Sequence, residues 1–375
     1  MKVLLIFLAA VAAIAIAAVL ILCHPAFGRR MSAQRLARIE ASPNYRLGMF
    51  QNEEPTPQFT GAKSPVTILW DFLVHRPKDR VPKEALPTVK TDLKNLPADK
   101  DWLVWFGHSS YMFCIGGKRY LVDPLLRMEF PASVMMTPFK GTDIYAPEDI
   151  PQIDYLIITH EHWDHLDYAT LRDLRSQVAH VICPLGIAEY LEYWKYDKSV
   201  ITELDWGERA EFQDTALAMR PTNSDFESSG LSSLSGSGLI VTCLPSRHFS
   251  NRLFGRNQTL WASFMVEAGG RKVYIGGDGG YDSRFKRIRE QFGQVDLAFL
   301  ENGQYNEDWK YIHTTPEGLE HAIMDLQAKA VFTVHHDKFA LAKHPWYEPD
   351  SVAHSIAERH NVRLLDRPIG TVVLF

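Results

Sequence analysis

Cysteine is scarce: the 375 residues contain four, too few for a disulfide framework in a chain of this length. Cys23 lies in an apolar stretch, while Cys114, Cys183 and Cys243 sit in strand-like runs, so all four read as reduced and packed. Charge of one sign is also lacking. Lys+Arg 40 against Asp+Glu 45 leaves a net charge of −5, with no long basic stripe. Proteins that grip nucleic acid non-specifically need a clustered basic surface to neutralise phosphates, so the composition argues against nucleic acid as a partner. No internal repeat is visible. At 46% hydrophobic and 23% charged residues the composition is globular, and the length permits two domains at about 150 residues each. What stands out is an unusual N-terminus and fifteen histidines, several tightly spaced.

Residues 3–23 carry no charge. A helix of about 20 such residues covers a hydrocarbon core of about 30 Å, so residues 1–28 are expected to be a transmembrane anchor, with a cleaved signal peptide as the rival. Ala26-Phe27-Gly28 would supply the cleavage site, and Leu22 before Cys23 is too bulky for lipoprotein processing. Arg29, Arg30, Arg35 and Arg38 follow the segment while only Lys2 precedes it. The positive-inside rule then places the body on the cytoplasmic face of a membrane, with a periplasmic or secreted location as the alternative.

Residues 29–100, rich in Pro, Lys and Asn, read as an arm, and residues 101–375 as one catalytic body. Strand patterns fall at 102–106, 111–115 and 119–122, with a Gly116-Gly117 turn, and at 155–158, 178–183, 200–204, 239–244, 261–266, 272–275, 295–300 and 330–334. Helical spacing falls at 168–178, 187–194, 283–292 and 316–327, the last with Thr315 as N-cap and Pro316 at the first position. Alternation of this kind gives an α/β class. The Ser/Gly-rich stretch 228–238 reads as an inserted flexible loop.

Directly after the apolar run 155–158 comes Thr159-His160-Glu161-His162-Trp163-Asp164-His165-Leu166-Asp167. A loop leaving a buried strand can turn alternate side chains inward. His160 and His162 can then hold one ion, and Asp164 and His165 reach a second. Imidazole and carboxylate together suit zinc, with iron or manganese as alternatives. The pattern resembles the signature of the metallo-β-lactamase superfamily. That resemblance implies a four-layer αββα sandwich and two divalent ions, with three more ligands. These are His248 after strand 239–244, Asp278 in Gly276-Gly277-Asp278-Gly279-Gly280 as the carboxylate between the ions, and His335 after strand 330–334. His336 adjoins His335 and is the alternative.

Further segments are similar to the N-acyl-phosphatidylethanolamine-hydrolysing phospholipase D branch and its bacterial relatives. They include Gly48-Met49-Phe50-Gln51-Asn52, Trp105-Phe106-Gly107-His108-Ser109-Ser110, Val122-Asp123-Pro124, Pro184-Leu185-Gly186 and Leu204-Asp205-Trp206. His313 matches a histidine which that branch places beside the metals to contact substrate. The chain departs in the 228–238 insertion and in Gly279, where some relatives carry a hydroxyl residue. The resemblance implies a phospholipid substrate at a membrane, with a hydroxide between the two ions attacking the phosphodiester. Asp164, Asp278 and His313 are then the catalytic residues. Asp123 and Asp167 are expected to hold ligand histidines by their free ring nitrogens, and Trp163 to line the approach or to pack. A lactone or small-ester hydrolase using the same ions is the alternative; a non-catalytic metal-binding membrane protein and a nuclease are further ones. The sequence leaves oligomeric state open.

Overall fold

A computed structural model describes residues 2–61, 63–75, 77–213, 238–252 and 255–375. The Ser/Gly-rich stretch lies outside the described residues except for Gly238. Helices α1 (Lys2–Leu22) and α2 (Ala33–Glu40), the hairpin β1 (Tyr45–Arg46) and β2 (Met49–Phe50), and α3 (Pro65–Val74) precede the body. The body opens with β3 (Trp102–Trp105), β4 (Tyr111–Ile115) and β5 (Lys118–Val122), then α4 (Ala132–Met135) and β6 (Ile153–Ile157). Next come α5 (Tyr168–Leu174), β7 (Val178–Pro184), α6 (Ala188–Tyr193), β8 (Ile201–Leu204) and β9 (Arg209–Phe212). The second half holds β10 (Leu239–Leu244), β11 (Ser263–Ala268), β12 (Arg271–Ile275), α7 (Arg284–Phe292) and β13 (Leu297–Glu301). It closes with α8 (Pro316–Leu326), β14 (Ala330–Val334), α9 (Glu348–His360) and β15 (Val372–Leu374).

Two mixed sheets result, a seven-stranded one in the order β15-β3-β4-β5-β6-β7-β8 and a six-stranded one in the order β14-β13-β12-β11-β10-β9. Their inner faces meet in one apolar layer, where Trp105, Phe113, Tyr120 and Ile157 pack with Val241, Phe264, Phe299 and Phe332. The outer face of the first sheet is covered by α5 and α6 through Leu171, Leu174 and Leu191. On the second sheet, α7, α8 and α9 cover the outer face through Ile288, Leu319, Ile323 and Ile356. Strands buried on both faces read as continuous apolar runs, which is why β6, β13 and β14 were visible in the sequence. Each sheet is parallel in one half only: β5 to β8 in the first, β12 to β14 in the second. The loops leaving the carboxyl ends of these parallel strands converge at one edge of the sandwich, where α/β sheets bind ligands.

The arm is bolted to the body. Arg35 pairs with Glu189, Glu192 and Glu203, and Arg29 with Glu189. Arg38 pairs with Glu208, so three of the four arginines taken from the sequence as an orientation signal are engaged in ion pairs. Phe50 is fully buried among Leu185, Leu260 and Trp261. Helix α1 exposes Leu4, Leu5, Ile6, Phe7 and Leu8. Among the described residues, however, no helix is long and apolar enough to cross a membrane. The spanning anchor expected from the sequence is therefore not supported by the structure, in which α1 is an apolar helix with exposed side chains.

Candidate metal centre

The turn after β6 brings its side chains inward by local hydrogen bonds: the amides of His165 and Leu166 both donate to the carbonyl of His162, at 3.1 and 2.9 Å. Asp167 then caps α5, its carboxylate accepting from the Thr170 amide at 2.7 Å. From the opposite sheet, His248 follows β10, Asp278 follows β12, and His335 follows β14. The His248 segment is pinned by the arm, because Asn52 Nδ2 donates to the His248 carbonyl at 2.7 Å and Asn52 Oδ1 accepts from its amide at 3.2 Å. At Asp278 the chain turns between Gly277 (φ +60°) and Gly279 (φ +154°). A Cβ on Gly279 would lie 2.4 Å from Ser246 Oγ, so only glycine fits there.

One group of nitrogens is formed by His160, His162 and His248, where His162 Nδ1 lies 2.9 Å from His160 Nε2 and 3.1 Å from His248 Nε2. The other group is Asp164, His165 and His335: Nε2 of each histidine is 3.5 Å from Asp164 Oδ2. Asp278 stands between them. Its Oδ2 is 3.1 Å from Nε2 of both His165 and His335, 3.8 Å from His160 Nε2 and 3.9 Å from His248 Nε2.

Neighbours fix which nitrogens point inward as lone pairs. His248 Nδ1 donates to the carbonyl of Ile312 at 2.7 Å, and His165 Nδ1 donates to Asp123 Oδ2 at 2.8 Å. Thr159 Oγ1, which donates to Asp123 Oδ2 at 2.6 Å, can accept from His160 Nδ1 at 3.0 Å. The Nε2 atoms of His160 and His248 therefore face inward as lone pairs in the neutral rings, and that of His165 does so once a cation replaces its proton. Such an arrangement is repulsive unless a cation sits among the atoms. Consistently, His165 Nε2, His335 Nε2 and Asp278 Oδ1 are buried without a hydrogen-bond partner, a rarity that calls for an ion. The donor set fits divalent metal: three imidazoles on one side, two imidazoles and a carboxylate on the other, one carboxylate shared.

The electrostatics agree. Burial disfavours charge on His165, but the carboxylates of Asp278, Asp164 and Asp123 outweigh it and hold the imidazole well above its usual pKa. His160, equally buried and ringed by His165 and His162, is held well below. The centre of the site favours positive charge that its own imidazoles cannot all carry.

All seven ligand candidates from the sequence are thus brought to one place. His313 is beside them, its ring stacked on that of His335 at 5.2 Å. Of the adjacent pair, His335 faces Asp278, whereas His336 turns away to Thr333 Oγ1 and the Trp105 ring. Asp123 holds His165. Asp167 does not hold a histidine; its carboxylate faces the first turn of α5, and burial pushes its pKa up to about 6. Trp163 packs under the Arg252 guanidinium, 3.9 Å from the ring centre, and against Phe27.

Two residues at the site escaped the sequence reading. His108 Nε2 lies 2.8 Å from Asp164 Oδ2, and Glu301 ends β13 beside His313 and His335. Glu301 closes an otherwise apolar strand, which was a usable signal; His108 had been noted only as part of a motif. His108, Asp123 and His335 all adopt positive φ (54°, 40° and 73°), strain of the kind that concentrates at functional sites. Above the centre opens a cavity of about 270 Å³, lined by the ligand candidates His162, Asp164, Asp278 and His335, by His313, and by the apolar side chains of Phe59, Phe249, Trp309, Ile312 and Leu341.

Comparison with known proteins agrees with this geometry. Residues 118–336 match the beta-lactamase superfamily domain. An uncharacterized protein of Mycobacterium tuberculosis is 32% identical over 332 residues, 86% of this chain and 82% of its own. The N-acyl-phosphatidylethanolamine-hydrolyzing phospholipase D 1 of Caenorhabditis elegans is 26% identical over 258 residues, 65% of each chain. Among solved structures, the diiron β-hydroxylase CmlA from Streptomyces venezuelae shares the fold with a TM-score of 0.52 at 17% identity, covering 77% of this chain and 55% of that one.

Proposed function

Because the chain belongs to the metallo-β-lactamase superfamily, we propose that it is a dinuclear metal-dependent hydrolase of a membrane phospholipid, cleaving a phosphodiester as N-acyl-phosphatidylethanolamine phospholipases D do. One observation carries the dinuclear reading: Asp278 Oδ2 lies between two groups of inward-facing imidazole nitrogens. His160, His162 and His248 would hold one ion and Asp164, His165 and His335 the other, zinc being the first candidate and iron or manganese the alternatives. Bound there, two ions supply Lewis acidity towards a phosphoryl oxygen and a water activated near neutral pH.

The chain's own groups do the rest. Asp278 Oδ1, buried and unpartnered, is placed to accept a hydrogen bond from a nucleophilic water. His313, lining the cavity, is placed to meet the leaving oxygen. Phe59, Phe249, Trp309, Ile312 and Leu341 offer an apolar wall on which acyl chains can lie. The phospholipid class is supported by similarity to the nematode phospholipase and by these walls. Residues 29–100 are taken as an arm that pins the His248 segment of the catalytic body 101–375.

Contact with a lipid surface is supported by the apolar side chains exposed on α1 and by residues 24–27, which dock beside the metal loop. There His24 meets Phe130, Phe27 meets Trp163, and Trp194 Nε1 donates to the Pro25 carbonyl at 2.8 Å.

The test is purified, zinc-loaded protein assayed on N-acyl phosphatidylethanolamine in mixed micelles, on a generic phosphodiester and on an acyl lactone. The expected product of the first is phosphatidic acid, with an N-acylethanolamine released. Activity on the lactone alone would overturn the phospholipid reading while leaving the metal centre standing.

A further inference from the structure

Glu301 lies at the end of β13, between Asp278 at the end of β12 and His335 at the end of β14. Its carboxylate is buried, and both of its oxygens meet donors. Oε2 accepts from the amides of Gly279 at 2.8 Å and Thr314 at 3.1 Å. Oε1 is bound by His313 Nδ1 in a short contact. His335 Nδ1 lies 3.1 Å from the same oxygen, within ion-pair range although not aligned as a hydrogen bond. Thr314 Oγ1 donates to the Gly279 carbonyl at 2.6 Å, which closes the His313 segment onto the loop carrying Asp278.

An imidazole has two nitrogens, and the one that bonds a carboxylate carries the proton. With Nδ1 of His313 committed to Glu301, Nε2 is the nitrogen left for the cavity, as an acceptor in the neutral ring. The same oxygen on the Nδ1 side of His335 favours Nε2 as the metal-facing nitrogen there. We infer that Glu301 is a positioning residue that fixes the tautomer and ring orientation of His313 and His335 together, so that the substrate-facing histidine and one ligand of the second ion are set by a single carboxylate. This rests on the proposed hydrolase reading for His313's encounter with substrate, but the tautomers themselves do not depend on it. An acidic residue closing an apolar strand marks Glu301 as unusual, but its link to His335 comes from the parallel register of β13 with β14.

The experiment is ¹⁵N NMR of ¹⁵N-histidine-labelled, zinc-loaded protein, with the His313 signal identified by its loss in His313→Gln. Wild type is expected to show His313 protonated at Nδ1. Glu301→Gln, nearly isosteric but presenting an NH₂ to part of this donor set, is expected to shift His313 towards the Nε2–H form. It should also weaken retention of one zinc of the two by about 10-fold or more in chelator competition, the scale for removing a group that orients a ligand. Glu301→Asp should recover part of both. An Nε2–H tautomer in the wild type overturns the inference without any variant, and so does a Glu301→Gln protein with unchanged tautomer and zinc retention. Since no substrate enters these measurements, their failure is distinct from failure on the phospholipid panel.

Discussion

Replacing Asp123 by Asn changes one atom of the site's support and should cost metal before it costs the fold. In the native protein Asp123 Oδ1 accepts from the Thr159 amide at 2.8 Å, while Oδ2 accepts from Thr159 Oγ1 at 2.6 Å and from His165 Nδ1 at 2.8 Å. An Asn side chain can keep the first bond through its carbonyl oxygen. Its NH₂ then meets the other two groups. The Thr159 hydroxyl can rotate and accept, but His165 cannot answer without a penalty. Keeping the proton on Nδ1 sets donor against donor; moving it to Nε2 protonates the nitrogen that faces Asp278 and Asp164. Either way a buried group goes unsatisfied when metal binds, at about 1–3 kcal/mol. At 1.4 kcal/mol per factor of ten, that is roughly a 5- to 150-fold loss of affinity at the second ion. Competition with a chromophoric chelator measures it, and circular dichroism of the metal-free form checks the fold. Asp123→Asn protein with native zinc affinity at both sites would refute the tautomer reasoning for His165.

Asp164→Asn should reduce turnover roughly 100-fold or more, the scale on which removing a charged stabilising group acts, with the far-ultraviolet spectrum unchanged; native turnover would remove Asp164 from the catalytic set. Asp167→Ala should lower stability by about 1 kcal/mol through loss of the α5 cap, yet leave metal content at the wild-type value, whereas lost metal would restore the role first read from the sequence. Lys338 is buried with Nζ donating to the Leu125 carbonyl at 2.9 Å and, more weakly, to that of Phe106. Burial lowers its pKa, with Asp143 only partly opposing. The unfolded chain therefore binds more protons between that lowered value and about 10.4, and stability should rise with pH across that window. Lys338→Met should abolish the rise in urea titrations and cost about 1–3 kcal/mol for the carbonyls left behind; an unchanged pH slope would assign the proton to another group.

The sheets were legible wherever burial wrote a continuous apolar run, as at β4, β10 and β14, whose limits agree residue for residue. Strand β9, with the alternating pattern of a partly exposed strand, and the three-residue β15 gave no such signal. Helix α9 was passed over too: only Pro349, Ala353 and Ile356 are buried along it. The ligand candidates were legible because the centre needs histidine and aspartate at strand ends, and those residue types are conspicuous after apolar runs. Groups that orient the ligands were harder. Asp123 was found and Asp167 misplaced, since an Asp three residues before Thr170 is equally the mark of a helix cap. Glu301 and His108 meet ligand residues that leave other strands of their own sheets, through pairings set by strand order rather than by adjacent sequence.

The two groups of ligands are not divided by sheet. His160, His162, Asp164 and His165 hang from the first sheet, while His248, Asp278 and His335 hang from the second. Each ion would therefore be a rivet through both layers, closing long loops of chain in the way a cross-link does. The four cysteines are all free, three of them buried. Coordination would thus do the stapling that sulfur does elsewhere, and the cohesion of the sandwich would follow metal supply rather than redox poise. Excess zinc at about 1,000 times its Kd would raise stability by about 4 kcal/mol, a chelator would withdraw it, and a thiol reductant would leave the melting temperature where it was.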